Sequence, residues 1–512
     1  MKKIWALILC AALLAGLLGC DMEKGPYLPT GDGLYDDSFT QPSTTRPQNK
    51  EQSLSLTYYP EKSLNPYAAS DYTNRVLMPL VYQSLFQVDS RYTAVPILCS
   101  GYRVSRDMKT YTFYLEEATF SDGSALTAGD VAASLQAARE SEMYKGRLGY
   151  VSAISETADG GVEIKLSTSY ENLPLLLDIP IVKASQVNDD RPLGTGPYYY
   201  EERLTGLCLL RRTDWWCSAD MIVTASYIPL VEAESNAQIR DNFEFGAVSV
   251  VCADPGSPNY VDYHSDYELW ACENNVFLYI GCNEKSGVFS NKTLRQALTH
   301  AIDREKLAET YYLGFAQATT LPASPNSPQY HKVLASQYGY NAALFAQAVA
   351  DAQLEEGTTV SILVNKGDSR RVQVAKAIAK MLTDCGLPAT VSEQSGTNYT
   401  RALKNGSYDL HLGQTTLSPN MDLTAFYSTS GALCYGGMSD AAILAICKEA
   451  LANSGNYETL YRMVMDDAML CPVLVRSYAI YVQRGLFDTF SPARDNLFGY
   501  SLGKTLESIY LQ

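Results

Sequence analysis

Histidine is scarce. The 512 residues hold four, His264, His300, His331 and His411, and none belongs to a compact metal set such as HExxH. GxSxG, Walker A and GxGxxG motifs are missing, which excludes the contiguous forms of a hydrolase elbow, a phosphate loop and a dinucleotide site. A catalytic triad assembled from distant positions stays open. Positive charge is in short supply: 40 Lys and Arg against 56 Asp and Glu give a formal charge of −16. Nucleic-acid binding, which needs a basic footprint, is disfavoured. After the N-terminal segment no run of 18 apolar residues occurs, so the body is not expected to span a membrane. Gly (34) and Pro (22) are ordinary in number and 46% of residues are hydrophobic, which argues against a fibrous or disordered chain. The length allows more than one hydrophobic core.

What is present begins with a processing signal. Lys2 and Lys3 precede an almost wholly apolar stretch, Ile4 to Leu18. At about fifteen residues it is shorter than the roughly 20 of a bilayer span. The segment Leu17-Leu18-Gly19-Cys20 resembles the lipobox of bacterial lipoproteins. That resemblance implies removal of 1–19, lipidation of Cys20 and an extracytoplasmic body held at the cell membrane, each buried CH₂ contributing roughly 0.8 kcal/mol. Residues 20–52, rich in Pro, Gly, Thr and Asp, read as anchor and tether. Without 1–19 the formal charge is −18, so an anionic lipid surface repels the body and the lipid must hold it.

Ten cysteines remain beyond Cys10 and Cys20, and no pair has CxxC spacing. Cys208 with Cys217, and Cys272 with Cys282, are spaced to face one another across hairpins; buried free thiols are the alternative.

Along the body, helical and strand periods alternate. LSLTYY (54–59), YTFYL (111–115), VEIKL (162–166), Leu207–Leu210, VFLYIGC (276–282), VSILV (360–364) and Pro472 to Val482 read as strands, the last interrupted by Arg476. Arg75 to Phe86 reads as a helix that Pro79 kinks or divides. Thr127 caps a helix with Asp130 three residues on. Leu294, Ala297, Leu298, Ala301 and Ile302 mark a one-sided helix, with others at 341–352, 372–382, 439–452 and 456–469. The alternation predicts an α/β fold with at least two layers or lobes. Gly194-Thr-Gly-Pro-Tyr198 precedes a strand, not a helix N-terminus, which argues against a phosphate loop.

Several blocks are recognisable together. They are Leu80 to Phe86 with Pro96; Asp107 to Leu115 with Phe120-Ser-Asp-Gly-Ser-Ala-Leu-Thr-Ala-Gly-Asp-Val131; Gly194-Thr-Gly-Pro-Tyr198; Leu294-Arg-Gln-Ala-Leu-Thr-His-Ala-Ile-Asp-Arg304; and 371–410. In order and spacing, across roughly 53–500, the chain resembles the bacterial extracellular solute-binding proteins, family 5, the oligopeptide-, dipeptide- and nickel-binding lipoproteins of ABC importers. The resemblance implies an α/β, two-lobed periplasmic-binding-protein-like fold (type II, cluster C-like) with an extra subdomain in lobe I. Its expected divisions are a lobe I core of 53–85, 193–282 and 483–512, a subdomain of 86–192, and lobe II of 283–482. Chain crossings near 283 and 482 would form the hinge. It implies no enzyme, cofactor or metal, and a monomer that captures short peptides by closure and passes them to permease transmembrane subunits.

The same resemblance suggests the ligand region. Tyr59, Asn65 and Tyr67 fall in the loop expected to border the ligand. Gln414, Thr415, Thr416 and Leu417 fall in the 413–420 segment, where an extended peptide could pair as an added strand. Many peptide-binding relatives carry an aspartate there for the ligand's ammonium, and 413–420 contains none; the nearest is Asp422. Tyr435 is a candidate apolar wall, and Trp215-Trp216 reads as scaffold. A buried ammonium without a carboxylate is costly. A non-peptide solute (glycan, opine-like compound or metal chelate) or a ligand-sensing role of the same receptor are therefore alternatives.

Overall fold

The computed structural model describes residues 53–217, 219–494 and 496–511. The signal segment 1–19, Cys20 and the tether to residue 52 lie outside the described residues.

Three larger sheets organise the chain. The first orders Leu56–Tyr58, Tyr227–Glu232, Gly206–Arg211 and Tyr198–Arg203, with the first pair parallel and the rest antiparallel. The second is an antiparallel meander of Cys99–Val104, Thr110–Leu115, Val162–Leu166 and Val151–Glu156, beside the small hairpin Phe86–Val88 and Ala94–Pro96. The third is seven-stranded and mixed. It orders Val250–Ala253, Leu470–Gln483, Tyr267–Cys282, Leu410–Thr416, Val360–Asn365 and Ala389–Gln394, with Ala316–Ala318 also on Leu470–Gln483.

Local sequence explains many of these elements. In Val162–Leu166, Val162, Ile164 and Leu166 are buried while Lys165 is exposed, the period-two pattern of a half-buried strand. Helix Ala128–Glu140 starts at a capping box. The Thr127 hydroxyl accepts from the Asp130 N–H, and the Asp130 carboxylate accepts from the Thr127 N–H at 3.0 Å. Helix Lys292–Ala301 buries Leu294, Leu298 and Ala301 along one stripe and is capped by Asn291. The expected helix at 75–86 is instead two single-turn helices, Tyr72–Arg75 and Met78–Val81, followed by strand Phe86–Val88. Pro79 stands in the first turn of the second helix, where a missing N–H costs nothing. Neither suggested disulfide forms; all ten cysteines of the described residues are free.

The two long strands Tyr267–Cys282 and Leu470–Gln483 run antiparallel and straddle separate cores. Phe277 to Ile280 and Leu470 to Val475 belong to the core under helices 292–301, 369–384 and 457–467. Cys272, Ile480 and Val482 belong to the core beneath the first sheet. Ala479 and Tyr481 pack with Phe243 and Tyr263 on the other face. A register shift between Glu273 and Phe277, with Asn275 at φ 56°, falls where one core gives way to the next.

Candidate functional site

At that changeover the long strands lose their apolar character. Glu273, Asn274 and Asn275 interrupt one and Arg476 and Ser477 the other, with Glu273 directly opposite Ser477. Charge inside an apolar strand must find partners, and here it does. Arg476, whose side chain is 5% exposed, pairs through Nη2 with Asp254. Its Nη1 donates to Gln414 Oε1 at 3.1 Å, and its guanidinium lies over the Tyr312 ring, 5.5 Å from the centroid. Gly256 passes so close to that guanidinium that a Cβ there would overlap it. Nearby, Tyr72 stacks on Tyr478 with centroids 3.8 Å apart.

Glu273 accepts from the Tyr92 hydroxyl and from Asn326 Nδ2 at 2.8 Å. Burial pushes its carboxyl pKa up, against the hydrogen bonds and the Arg494 charge. Arg494 Nη2 also pairs at 3.0 Å with Asp178, which Arg147 engages as well. Arg75, Arg494, Asp178, Tyr82, Tyr144 and Gln87 are among the residues that line a cavity of about 510 Å³, its open mouth included.

The residues proposed from sequence do not form one cluster. Tyr59 is half-buried; its hydroxyl donates to Asn236 Oδ1 at 2.6 Å. Asn65 is buried and donates to the carbonyls of Val187 and Asp189, while its oxygen accepts the Tyr67 N–H. The Tyr67 hydroxyl donates to the Pro180 carbonyl at 2.7 Å. Gln414 meets Arg476, as above. Thr415 and Thr416 pair with Phe277 and Val276, Thr416 being exposed. Leu417 is buried, its N–H on the Asn275 carbonyl at 2.9 Å. Asp422 accepts the Thr424 N–H at 2.8 Å, and burial raises its pKa with Tyr150, Tyr170 and Tyr457 close by. Tyr435 sits edge-on to His411.

Sequence reading missed Asp254, Glu273, Asp178 and Arg494. Arg476 had left a signal, a charge breaking an apolar run; the others had none of comparable clarity.

The recognisable blocks prove to be scaffold. A Cβ on Gly194 or Gly196 would overlap the Val81 carbonyl, so these glycines let the chain press against helix Met78–Val81. Trp215 and Trp216 indoles donate to the Thr195 carbonyl, and Trp216 also to Gln83. Arg304 is buried and bonds the carbonyls of Thr299, Ile302 and Pro472, tying the helix corner to the long strand. Asp409 accepts from Ser286 Oγ and from Ser361 N–H and Oγ. Among the described residues no group of three or more His, Cys, Asp or Glu side chains converges as a metal site would require, and no helix is long and apolar enough to cross a membrane.

Comparison with known proteins agrees with this architecture. Residues 93–434 match the family described as bacterial extracellular solute-binding proteins, family 5 Middle, and the chain belongs to that family. It is 24% identical over 353 residues to the glutathione-binding protein GsiB of Pectobacterium atrosepticum, covering 64% of this chain and 66% of that protein, just under two thirds. It is 23% identical over 435 residues to the oligopeptide-binding protein AppA of Bacillus subtilis, covering 72% of this chain and 78% of that protein. The crystal structure of the ABC transporter substrate-binding protein CtaP from Listeria monocytogenes superposes with a TM-score of 0.72 at 19% identity, over 90% of this chain and 100% of that one. The fold is thus the α/β, two-lobed, type II periplasmic-binding-protein fold.

Proposed function

We propose that the chain is the extracytoplasmic receptor of an ABC importer, catching a short peptide between its lobes and handing it to the permease. The observation that carries the reading is a polar set, the buried Arg476 with the partly buried Asp254, Gln414 and Glu273, at the level where both long strands pass from one core to another. A cleft over a two-strand hinge is where closure can enclose a ligand. Family membership and the GsiB and AppA relatives, named for glutathione and oligopeptides, favour a peptidic solute. In this reading 53–85, 193–282 and 483–512 form the lobe I core, 86–192 its subdomain and 283–482 lobe II. Gln414, Thr415, Thr416 and Leu417 offer the strand end on which a peptide backbone would pair. Tyr59, Asn65, Tyr67, Asp422 and Tyr435 shape loops around it, and Cys20 carries the lipid that keeps the monomeric receptor at the membrane.

Calorimetric titration of the mature chain with defined di- to pentapeptides is expected to give saturable one-to-one binding. Binding confined to a glycan, an opine-like compound or a metal chelate would overturn the peptide assignment and leave the receptor. That second reading is favoured by two observations, the buried Leu417 and the missing carboxylate in 413–420. No binding to any solute class would overturn the receptor itself.

A further inference from the structure

We infer that Glu273 is a proton-linked latch at the hinge: it holds a proton while Tyr92 and the 324–326 segment close over it, and gives that proton to solvent when they part. This rests on the proposed division into lobes and not on the nature of the solute. Three bodies of that division meet at the one side chain. Glu273 stands on strand Tyr267–Cys282, near the crossing between lobes. Tyr92 comes from the turn of the hairpin Phe86–Val88 and Ala94–Pro96 in the subdomain, and Ser324 and Asn326 come from lobe II.

Protons are one short in this cluster if Glu273 is ionised. The Tyr92 hydroxyl bonds both Glu273 Oε1 and Asn275 Oδ1. The Asn275 amide is held in that orientation, because its Nδ2 donates to the Leu417 carbonyl at 3.2 Å. One hydroxyl proton thus faces two acceptors. With Glu273 ionised, Tyr92 donates to it and the contact with Asn275 holds no proton. A proton on Oε1 completes the chain. Glu273 then donates to the Tyr92 oxygen, Tyr92 to Asn275 Oδ1 and Asn275 Nδ2 to the Leu417 carbonyl, while Glu273 Oε2 accepts from Asn326 Nδ2 at 2.8 Å. The Ser324 hydroxyl also reaches Glu273 and Tyr92. Two oxygens are bonded only by a proton on one of them, so Ser324 does not make up the deficit. Tyr92, Asn275 and Ser324 are 7%, 2% and 1% exposed, which keeps the chain from water.

The surroundings agree. Burial pushes the Glu273 carboxyl pKa up, and the positive charge that opposes it, Arg494, is shared with Asp178, which Arg147 also engages. Ser477, opposite Glu273, is neutral, and Arg476 turns to Asp254. Burial holds the Tyr92 hydroxyl well above the usual phenol range, so it stays a hydroxyl. In the parted form Glu273 meets water and titrates in the ordinary carboxylate range. Closure therefore takes up a proton at any pH between that range and the raised value. The closed form is favoured fully below that range, and the preference is lost as pH rises through the raised value.

Infrared spectroscopy and solution scattering of the mature, solute-free chain test this against Glu273→Gln, whose amide donates to Tyr92 and accepts from Asn326 with no proton to lose. At about pH 7 the wild-type-minus-variant spectrum is expected to show the C=O band of a carboxylic acid, the other carboxyl groups cancelling. From about pH 5 to 9 the open-to-closed ratio of wild type, read from the radius of gyration, is expected to rise more steeply than the variant's, by up to about tenfold per pH unit. Should the Gln variant not fold, Tyr92→Phe, which removes the hydroxyl between the two acceptors, is expected to flatten the scattering profile in the same way. A difference spectrum without the acid band, or equal steepness in wild type and variant, overturns the inference and leaves the receptor reading standing. The receptor reading falls instead with the calorimetric titration, which needs no result from these measurements.

Discussion

His411 shows what a single residue costs when its surroundings are fixed by packing. It is 1% exposed, and among the described residues neither ring nitrogen has a hydrogen-bond partner. The rings of Tyr279, Tyr408 and Tyr435 stand edge-on around it, with centroids 5.7, 5.1 and 6.1 Å away. Across the strand pair Gly281 lies flat beneath the imidazole, and a Cβ there would overlap it. Burial first, and the Arg371 charge second, lower the His411 pKa from 6.5 to about 4. The unfolded chain therefore binds a proton between those values that the folded chain refuses. The neutral histidine contributes fully above pH 6.5, and stability is lost as pH falls toward 4, by up to about 3 kcal/mol. Urea melts of wild type and His411→Phe from pH 7.5 to 4 are expected to diverge over that window, the variant losing less. Parallel curves would show that the imidazole is protonated or solvated in the native state. Residues like this are poorly legible in sequence. Nothing adjacent to His411 announces that Gly281, 130 positions earlier, makes room for its ring, and Asp254 likewise takes its meaning from Arg476, 222 positions later.

Elements were far more legible, because their signals are local. The stripe from Leu294 to Ile302 marks helix Lys292–Ala301, VEIKL is strand Val162–Leu166, and VSILV lies within strand Val360–Asn365. The 75–86 segment was harder, since its break depends on Pro79 and on contact with 194–196. That contact yields a test of what the Gly194-Thr-Gly196 block does in this chain. If it answers to sterics, Gly194→Ala should lower stability by about 3 kcal/mol, because a methyl group must displace backbone and not a pliable side chain. Denaturant midpoints would report it. A loss below about 0.5 kcal/mol would mean that helix Met78–Val81 shifts freely, and that the block owes its form to something other than close approach. Strand order within the seven-stranded sheet was not legible: Tyr267–Cys282 lies between two strands that follow it by more than a hundred residues, and hydrophobic period says nothing about such partners.

At the scale of the molecule the proposed function needs two lobes that open and close, and the proposed division puts hydrogen bonds across the boundary between them. In the proposed division, subdomain residues Tyr150, Tyr170 and Glu171 meet lobe II just beyond the 413–417 strand end. The Tyr150 hydroxyl donates to Thr424 Oγ1 at 3.0 Å, Asn420 Nδ2 donates to the Tyr170 hydroxyl at 2.6 Å, and the Glu171 N–H donates to the Leu451 carbonyl at 2.8 Å. Asn420 and Tyr170 are both buried. If these bonds exist only when the lobes are shut, removing one acts on closure and not on folding. In Asn420→Ala the Tyr170 hydroxyl loses its donor in the closed form but reaches water in the open form, a difference of about 1–3 kcal/mol. Since binding affinity scales with the population able to close, the dissociation constant for the cognate solute is expected to rise about five- to hundredfold. Solution scattering without solute should show a larger radius of gyration than wild type, and saturating solute should restore the compact value. The Asn420 carbonyl keeps its bond from the Tyr457 hydroxyl, and within lobe II the Ser418 hydroxyl loses only its bond to Asn420 Oδ1 at 2.7 Å, so lobe II should melt within about 1 kcal/mol of wild type. Unchanged affinity and scattering with a lower melting temperature would place the Tyr170–Asn420 bond inside one rigid body, and the hinge would have to be sought elsewhere than between 86–192 and 283–482.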